Sequence, residues 1–202
     1  MELFFKTPVY IVPTNVTKEF LQDLEKDIYE MKNSSKSLQI SNINGWHSET
    51  DLFAREETSI KELCKLLIGE TTKKLCSISQ SFNPNDYNGE FGGWINVNPK
   101  GGANAVHTHN GWHWSGVFYV KQPMVKEGRS GMIEFINPSQ EGTEIAKGFS
   151  NIGFDPYIRV RPEVGNLVIF PSYLLHSVYP NESDEDRITV AYNLRLTRKT
   201  TA

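Results

Sequence analysis

The sequence predicts a mainly β fold, a sandwich or barrel of jelly-roll type, with two helices ahead of the strands. From Gly89 onward, short runs of β-branched and aromatic residues alternate with Gly, Pro and Asn, which is typical of closely spaced strands joined by turns. Two earlier segments repeat apolar residues with helical spacing. Helices that precede the strands in this way would cover one face of a sheet.

The first 88 residues are expected to form a helical support region. Residues 2–12 predict an opening strand, rich in aromatic and β-branched side chains. A helix follows, capped by Asn15 or Thr17. Residues 33–51 are polar and turn-rich and predict a loop. The apolar positions of the first helix are Phe20, Leu21, Leu24, Ile28 and Met31, and those of the second are Ile60, Leu63, Cys64, Leu67, Ile68, Leu75 and Ile78.

Residues 89–202 are expected to form the jelly-roll core. We find no internal repeat, low-complexity tract or linker, so residues 1–202 are expected to form a single domain. The eight predicted strands cover residues 91–98, 104–109, 113–122, 131–138, 157–162, 166–171, 174–180 and 187–196.

Composition and charge limit the partners and the compartment. A formal net charge of −3 gives no indication of a nucleic-acid or anionic-membrane partner. Residues 1–15 lack the features of a signal peptide, and no apolar run approaches the ~20 residues that span a bilayer. Cys64 and Cys76 both lie in the second predicted helix, so reduced thiols are expected. We therefore expect a cytoplasmic protein, for which a homodimer is compatible with the sequence.

Two of the five histidines lie two residues apart in one predicted strand, at His107 and His109. Residues i and i+2 of a strand point to the same face, so these two imidazoles project together. A mononuclear metal site with open positions needs a third protein ligand. His176 is the candidate, because a jelly roll can bring its strand beside the first one.

A second pair, Arg187 and Thr189, shares one face of the last predicted strand. A guanidinium that faces the interior must be paired, because burying it alone costs many kcal/mol. The carboxylate of a ligand, held bidentately, would pair with it. The alternative is a salt bridge to an acid of the preceding turn, which contains Asp184, Glu185 and Asp186.

In combination, these motifs resemble the Fe(II)- and 2-oxoglutarate-dependent oxygenases of the prolyl-hydroxylase-like branch. One group in that branch carries His-x-His-Pro, Ser-Gly-x-x-Tyr-Val, Phe-Pro-Ser-x-Leu-x-His and Arg-x-Ser/Thr-x-x-x-Asn. The corresponding stretches here are "HTHN", "SGVFYV", "FPSYLLH" and "RITVAYN". Residues 3–11 are also similar to the start of that group, so the resemblance covers nearly the whole chain. It implies a double-stranded β-helix, which is a form of jelly roll.

The resemblance implies that Fe(II) is held by three histidines: His107, His109 and His176. The family usually has Asp or Glu at the second of these positions, and three neutral imidazoles leave iron one negative charge short. This departure favours weaker iron retention or another ion such as zinc, unless Glu134 on a neighbouring strand supplies a carboxylate. A second departure is "HTHNGW" in place of His-x-His-Pro, in the loop beside the site.

The resemblance also implies that Arg187, assisted by Thr189 and Tyr119, binds the far carboxylate of 2-oxoglutarate, the co-substrate. The implied reaction is hydroxylation of an unidentified small molecule or side chain, with release of succinate and CO₂. Two other functions stay open. One is a three-histidine cupin-type dioxygenase that does not use 2-oxoglutarate, and the other is a non-catalytic jelly-roll binding module.

Substrate contacts are expected from residues near the mouth of the predicted barrel, which are Trp94, Asn96, Trp112 and His113. Large aromatic side chains are also ordinary packing residues, and packing is the stronger expectation for Trp94. His47 is expected on the surface, in a loop that could fold over the site.

Overall fold

The computed structural model describes residues 7–125, 127–138 and 155–200. Its core is a pair of antiparallel β-sheets that face each other, with two helices packed on one of them. Residues 2–6 of the predicted opening strand lie outside the described residues, and the first strand seen is Tyr10–Pro13. Neither helix of the described ranges has the length and hydropathy of a membrane span.

Both predicted helices are confirmed. Helix α1 (Lys18–Ser34) begins after Thr17, whose hydroxyl accepts a hydrogen bond from the backbone N–H of Phe20 at 3.1 Å. Helix α2 (Thr58–Ile78) continues through Gly69 without a break. Short 3₁₀ turns at Leu52–Ala54 and Pro84–Asp86 flank α2.

All eight strands predicted after Gly89 are confirmed, and three more precede them within the described residues. The strands are β1 (Tyr10–Pro13), β2 (Asn42–Ile43), β3 (Trp46–His47), β4 (Tyr87–Asn98), β5 (Ala103–His107), β6 (Trp114–Lys121), β7 (Ile133–Ile136), β8 (Tyr157–Val160), β9 (Asn166–Pro171), β10 (His176–Val178) and β11 (Arg187–Arg198).

Two expectations need correction. The range 33–51 is not wholly a loop, since it contains the two-residue strands β2 and β3. The predicted strand 104–109 ends at His107, so His109 lies just beyond β5. Both errors concern pieces of backbone too short to carry a period-2 pattern.

The six-stranded sheet has the order β1-β9-β6-β11-β4-β3, and the five-stranded sheet has the order β2-β5-β10-β7-β8. Consecutive strands along the chain mostly alternate between the sheets or skip neighbours, which gives the double-stranded β-helix. Strands β2 and β3 form edges of the five-stranded and the six-stranded sheet, and one cavity is lined by Ile40 and Ser41, just before β2, and by His47 on β3.

The alternating pattern of β11 separates two environments. Ile188, Val190 and Tyr192 pack in the apolar core between the six-stranded sheet and the two helices. The intervening side chains, including Arg187 and Thr189, point into the space between the sheets, and both are buried. Every residue from 187 to 194 is buried, so neither face of this strand meets solvent over that length.

The fit of Gly116 against Tyr192 generates a prediction. A Cβ at Gly116 would overlap the ring of Tyr192, whose buried hydroxyl is hydrogen-bonded to Thr71 at 2.5 Å. Gly116→Ala should therefore lower the free energy of unfolding by about 1–3 kcal/mol or more, because overpacking forces the ring away. The same substitution at Gly69, where nothing lies within 4 Å of the added Cβ, should raise it by up to about 1 kcal/mol. Urea unfolding of both variants tests this contrast, and shifts of the same sign would contradict it.

Candidate functional site

Three histidines converge at one end of the space between the sheets. His176, at the start of β10, is paired with His107 at the end of β5. The backbone N–H of His109 donates to the carbonyl oxygen of Ser172 at 2.9 Å, which holds the segment after β5 against the segment before β10. The ring nitrogens of the three histidines lie within 4.8 Å of one another, and no other such group occurs among the described residues.

The backbone fixes the tautomer of two of these rings. Nδ1 of His107 lies 2.7 Å from the carbonyl oxygen of Ala105, and Nδ1 of His176 lies 2.8 Å from that of Leu174. A carbonyl oxygen only accepts hydrogen bonds, so these contacts assign the proton to Nδ1 in both rings. Each Nε2 therefore keeps its lone pair, as a metal ligand requires.

The third ring, His109, is positioned by packing. Its centroid lies 5.4 Å from the ring of Trp94, and Trp94 in turn stacks on His47 at 5.6 Å with an interplanar angle of 12°. The described part of the chain supplies no hydrogen bond to either nitrogen of His109. Its orientation therefore depends on this aromatic row.

Burial keeps the cluster uncharged at neutral pH. Burial, together with the charge of the nearby histidines, lowers the pKa of His109 to about 3 and that of His176 to about 4. Burial also lowers the pKa of His107. Three neutral imidazoles are the protonation state in which histidine binds metal ions.

Glu134 does not join the cluster. On β7, Phe135 is paired with His176, whereas Glu134 is paired with Ser177 and so points to the opposite face of the sheet. Its carboxylate lies 2.7 Å from Nε of Arg159 in an ion pair. The suggestion that Glu134 completes the metal site is therefore wrong, because alternation along β7 turns it outward.

Arg187 is buried beside the cluster among neutral groups, with 1% of its surface exposed. Its Nε donates to Oε1 of Gln122 at 3.1 Å, and its Nη1 donates to Oγ1 of Thr189 at 3.5 Å. The guanidinium carbon lies 5.2 Å from the centroid of the Tyr119 ring. None of these partners carries a negative charge.

The acids of the preceding turn pair with lysines instead. These ion pairs are Lys100–Asp184 (2.7 Å), Lys121–Glu185 (3.6 Å) and Lys32–Asp186 (3.3 Å). The alternative of a salt bridge from this turn to Arg187 is therefore wrong. Within the ranges that the structure describes, Arg187 has no carboxylate partner.

Several polar atoms beside Arg187 are also unpaired. The hydroxyl of Tyr119 and Oδ1 of both Asn96 and Asn98 are buried and lack hydrogen-bond partners among the described residues. In the pairing of β4 with β11, Asn98 lies opposite Arg187 and Asn96 lies opposite Thr189. Burial raises the pKa of Tyr119, so its hydroxyl stays protonated and can donate. Unpaired buried polar groups cost free energy. The Tyr119 hydroxyl and the Arg187 guanidinium are donors that suit the carboxylate of a ligand, whereas the two amide oxygens are acceptors and suit a donor.

A cavity of about 690 Å³ opens beside the histidine cluster. Its wall includes two of the clustered histidines, His107 and His109, together with Trp94 and Trp112. Residues of the β2–β3 segment, including His47, complete one side. The cavity therefore gives a substrate-sized molecule access to two of the three imidazoles.

The residues predicted to contact substrate separate into three positions. Trp94 and Trp112 line the cavity. Asn96 lies deeper in the sheet, opposite Thr189. His113 is exposed and lies outside the cavity lining, and its Nδ1 accepts a hydrogen bond from the backbone N–H of Leu196 at 3.0 Å.

His47 was expected on the surface, but the structure buries it. It forms part of β3, with 2% of its surface exposed, and it lines the cavity. Its Nδ1 lies 2.6 Å from the carbonyl oxygen of Ser48, and burial lowers its pKa. The polar context of "NGWHSE" gives no sign of this burial, because the ring is covered by Trp94. Trp94 lies on β4, which pairs with β3 in the sheet but is far from it in sequence.

A double-stranded β-helix with clustered histidines, and a buried arginine that lacks a carboxylate partner among the described residues, is the arrangement of a metal enzyme that also binds an organic acid. A family model described as "Putative 2OG-Fe(II) oxygenase" matches residues 92–193, about half of the chain, and the chain belongs to this family. The protein is thus a 2-oxoglutarate-dependent oxygenase that uses Fe(II). No curated protein matches the sequence.

Solved structures share the fold at low sequence identity. A prolyl-4-hydroxylase from Pseudomonas putida aligns with 13% identity and a TM-score of 0.63, over 96% of this chain and 95% of that one. A prolyl hydroxylase from Trichoplax adhaerens, solved with a peptide of hypoxia inducible factor, aligns with 13% identity and a TM-score of 0.66, over 94% of this chain and 84% of that one. HygX from Streptomyces hygroscopicus, solved with nickel, 2-oxoglutarate and hygromycin B, aligns with 12% identity and a TM-score of 0.65, over 95% of this chain and 84% of that one.

The lowered pKa of His176 generates a prediction for the metal-free protein. Between pH 6.5 and about 4, the unfolded chain takes up a proton that the folded chain excludes, so stability is full above pH 6.5 and falls on acidification. From pH 7 to pH 5 the loss attributable to this buried group is about 2 kcal/mol. His176→Gln should lose correspondingly less over the same range. Urea unfolding at both pH values measures this difference, and parallel losses in the two proteins would contradict the assignment.

Proposed function

We propose that this protein hydroxylates a C–H bond of a substrate held in the cavity beside the three histidines. The overall reaction consumes O₂ and 2-oxoglutarate, places one oxygen atom in the new hydroxyl group, and releases CO₂ and succinate, which carries the other. The observation that carries the proposal is Arg187, a buried guanidinium without a carboxylate partner in the described residues. Such a charge requires an anionic ligand, and a three-histidine cupin dioxygenase or a plain binding module gives no reason for one here.

We assign the metal to His107, His109 and His176. The three rings offer neutral nitrogens within 4.8 Å of one another, and the carbonyl groups behind His107 and His176 leave Nε2 free in both. When bound, iron supplies the activation of O₂ with electrons from 2-oxoglutarate. Because three histidines bring no negative charge, we expect looser iron binding than at a site with a carboxylate, and competition from zinc.

We assign the far carboxylate of the co-substrate to Arg187, Thr189 and Tyr119. The guanidinium and the Tyr119 hydroxyl are both donors, and both lie in a region that excludes water. Together these groups can orient one end of 2-oxoglutarate, while the histidine cluster lies beside its other end.

The substrate belongs to the cavity, whose lining includes His107 and His109 but not Arg187. The cavity walls can exclude water from the reacting carbon and hold it near His107 and His109. The similar proteins were solved with a peptide in one case and with hygromycin B in another, so both a protein side chain and a small molecule remain in scope.

We further propose that residues 1–202 act as one cytoplasmic oxygenase domain. Support comes from the core that α1 and α2 share with the six-stranded sheet. The two cysteines, Cys64 and Cys76, are unpaired, in keeping with a reducing compartment.

Removing the guanidinium tests this assignment. Arg187→Met should weaken binding of 2-oxoglutarate to the iron-loaded protein by about 2–5 kcal/mol, because the carboxylate loses its buried charge partner. Arg195→Met is the matched control, since Arg195 lies on the same face of β11 but is partly exposed and paired with Glu90. Anaerobic titration with 2-oxoglutarate, followed by the visible charge-transfer absorption and by calorimetry, gives the affinities.

Both variants should retain iron, as metal analysis would show. Undiminished 2-oxoglutarate affinity and turnover in Arg187→Met would contradict the proposal and favour a three-histidine dioxygenase without this co-substrate.

A further inference from the structure

We infer that the substrate is an uncharged or cationic molecule that lays a flat or compact apolar group on Trp94 and Trp112 and donates an N–H or O–H to His47. The inference rests on the proposed function, because it concerns the substrate of that same site. Three features of the 690 Å³ cavity carry it: its charge, its aromatic wall and the free imidazole nitrogen of His47, which is not one of the proposed metal ligands.

Among the residues that the structure describes, the protein itself gives an anion no positive charge in this cavity, and the two negative charges of 2-oxoglutarate offset those of a bound divalent ion. No lysine or arginine lines the cavity, and its one charged lining residue is the acid Glu90. Arg195 lies at the rim, but its charge is already engaged: Nη1 is 3.5 Å from Glu90, and Nε donates to the carbonyl oxygen of Gly111 at 2.9 Å. A phosphate or carboxylate group would lose its hydration here without gaining a counter-charge. The anionic co-substrate does not meet this obstacle, because its proposed carboxylate partner, Arg187, lies outside the cavity lining.

One wall of the cavity is formed by two indole rings. Gly92 and Trp94 are two residues apart on β4 and so share a face of the sheet. Because Gly92 has no side chain, Trp112 packs directly over it, and an added Cβ would lie 3.2 Å from Cη2 of Trp112. Aromatic faces bind apolar groups and cations, and Trp112 already carries the guanidinium of Arg195 at 4.9 Å.

His47 provides a fixed hydrogen-bond acceptor. Its Nδ1 donates to the carbonyl oxygen of Ser48, so Nε2 carries a lone pair, and that nitrogen has no partner in the part of the chain described. The ring is held in place by the stack on Trp94 and by the hydrogen bond from Nδ1 to the carbonyl oxygen of Ser48. A preset acceptor in a cavity wall favours a substrate with a donor and disfavours one without.

Matched ring compounds of different charge test the inference directly. The probes are benzylamine, benzyl alcohol and benzoate. They are added to protein that is loaded with Zn(II) in place of iron and saturated with 2-oxoglutarate, so that Arg187 is occupied, and in a parallel series to metal-free protein, so that direct coordination of the ion by a probe is recognised. Saturation-transfer NMR and calorimetry measure binding. Benzylamine and benzyl alcohol should bind, and benzoate should bind at least roughly tenfold more weakly, because burying an unpaired charge is costly. Benzoate binding as tight as that of the alcohol would overturn the inference, as would the failure of all three probes to bind.

Variants then assign the contacts. His47→Phe keeps the stack on Trp94 but removes the acceptor, so it should weaken benzyl alcohol roughly three- to tenfold and leave benzyl methyl ether unchanged. Trp112→Leu should weaken all the ring probes, and Trp112→Phe should restore part of their affinity. Equal effects of His47→Phe on the alcohol and its ether would overturn the role of His47.

The affinity for 2-oxoglutarate separates this inference from the proposed function. All three variants should bind 2-oxoglutarate as the parent protein does, because neither His47 nor Trp112 lies in the Arg187 region. If the parent protein failed to bind 2-oxoglutarate, the proposed function itself would be overturned. Retained 2-oxoglutarate binding with the wrong probe order would overturn only the inference about the substrate.

Discussion

The guanidinium of Arg187 lies between two sheets, surrounded by an amide, a hydroxyl and an aromatic ring. A buried charge of this kind is tolerated when a ligand pairs with it. The ligand-free protein therefore has a free-energy cost that ligand binding removes. The acids that could have paired with Arg187 are held by lysines on the surface. Within the described residues, the Arg187 guanidinium thus remains free to bind an anion next to the three clustered histidines.

The two faces of β11 connect this receptor to the stability of the fold. Ile188, Val190 and Tyr192 hold the strand against the two helices, and Arg187 and Thr189 project from the opposite face. A shift of one residue in register would exchange the two sets, placing the charge in the apolar core. Packing on one side of the sheet therefore sets the position of the ligand-binding groups on the other.

The sequence predicts those site residues that belong to short motifs, and it does not predict those whose position depends on contacts between segments far apart in sequence. His107 and His109 are noticeable from their spacing on one predicted strand, whereas His176 and Arg187 are singled out only by the combination of motifs that resembles the oxygenase family. His47 is not predicted, because its burial depends on Trp94, a contact that no local pattern encodes. His113 follows Trp112 directly, yet it lies outside the cavity lining because its ring accepts a hydrogen bond from the end of β11. The strands β2 and β3 are too short to show a pattern.

The most direct measurement is a crystal structure of the anaerobic protein soaked with Fe(II) and 2-oxoglutarate. We expect one ion about 2 Å from Nε2 of His107, His109 and His176, and the far carboxylate of 2-oxoglutarate within about 2.7–2.9 Å of the guanidinium of Arg187. Iron bound elsewhere, or 2-oxoglutarate bound without contact to Arg187, would contradict this account.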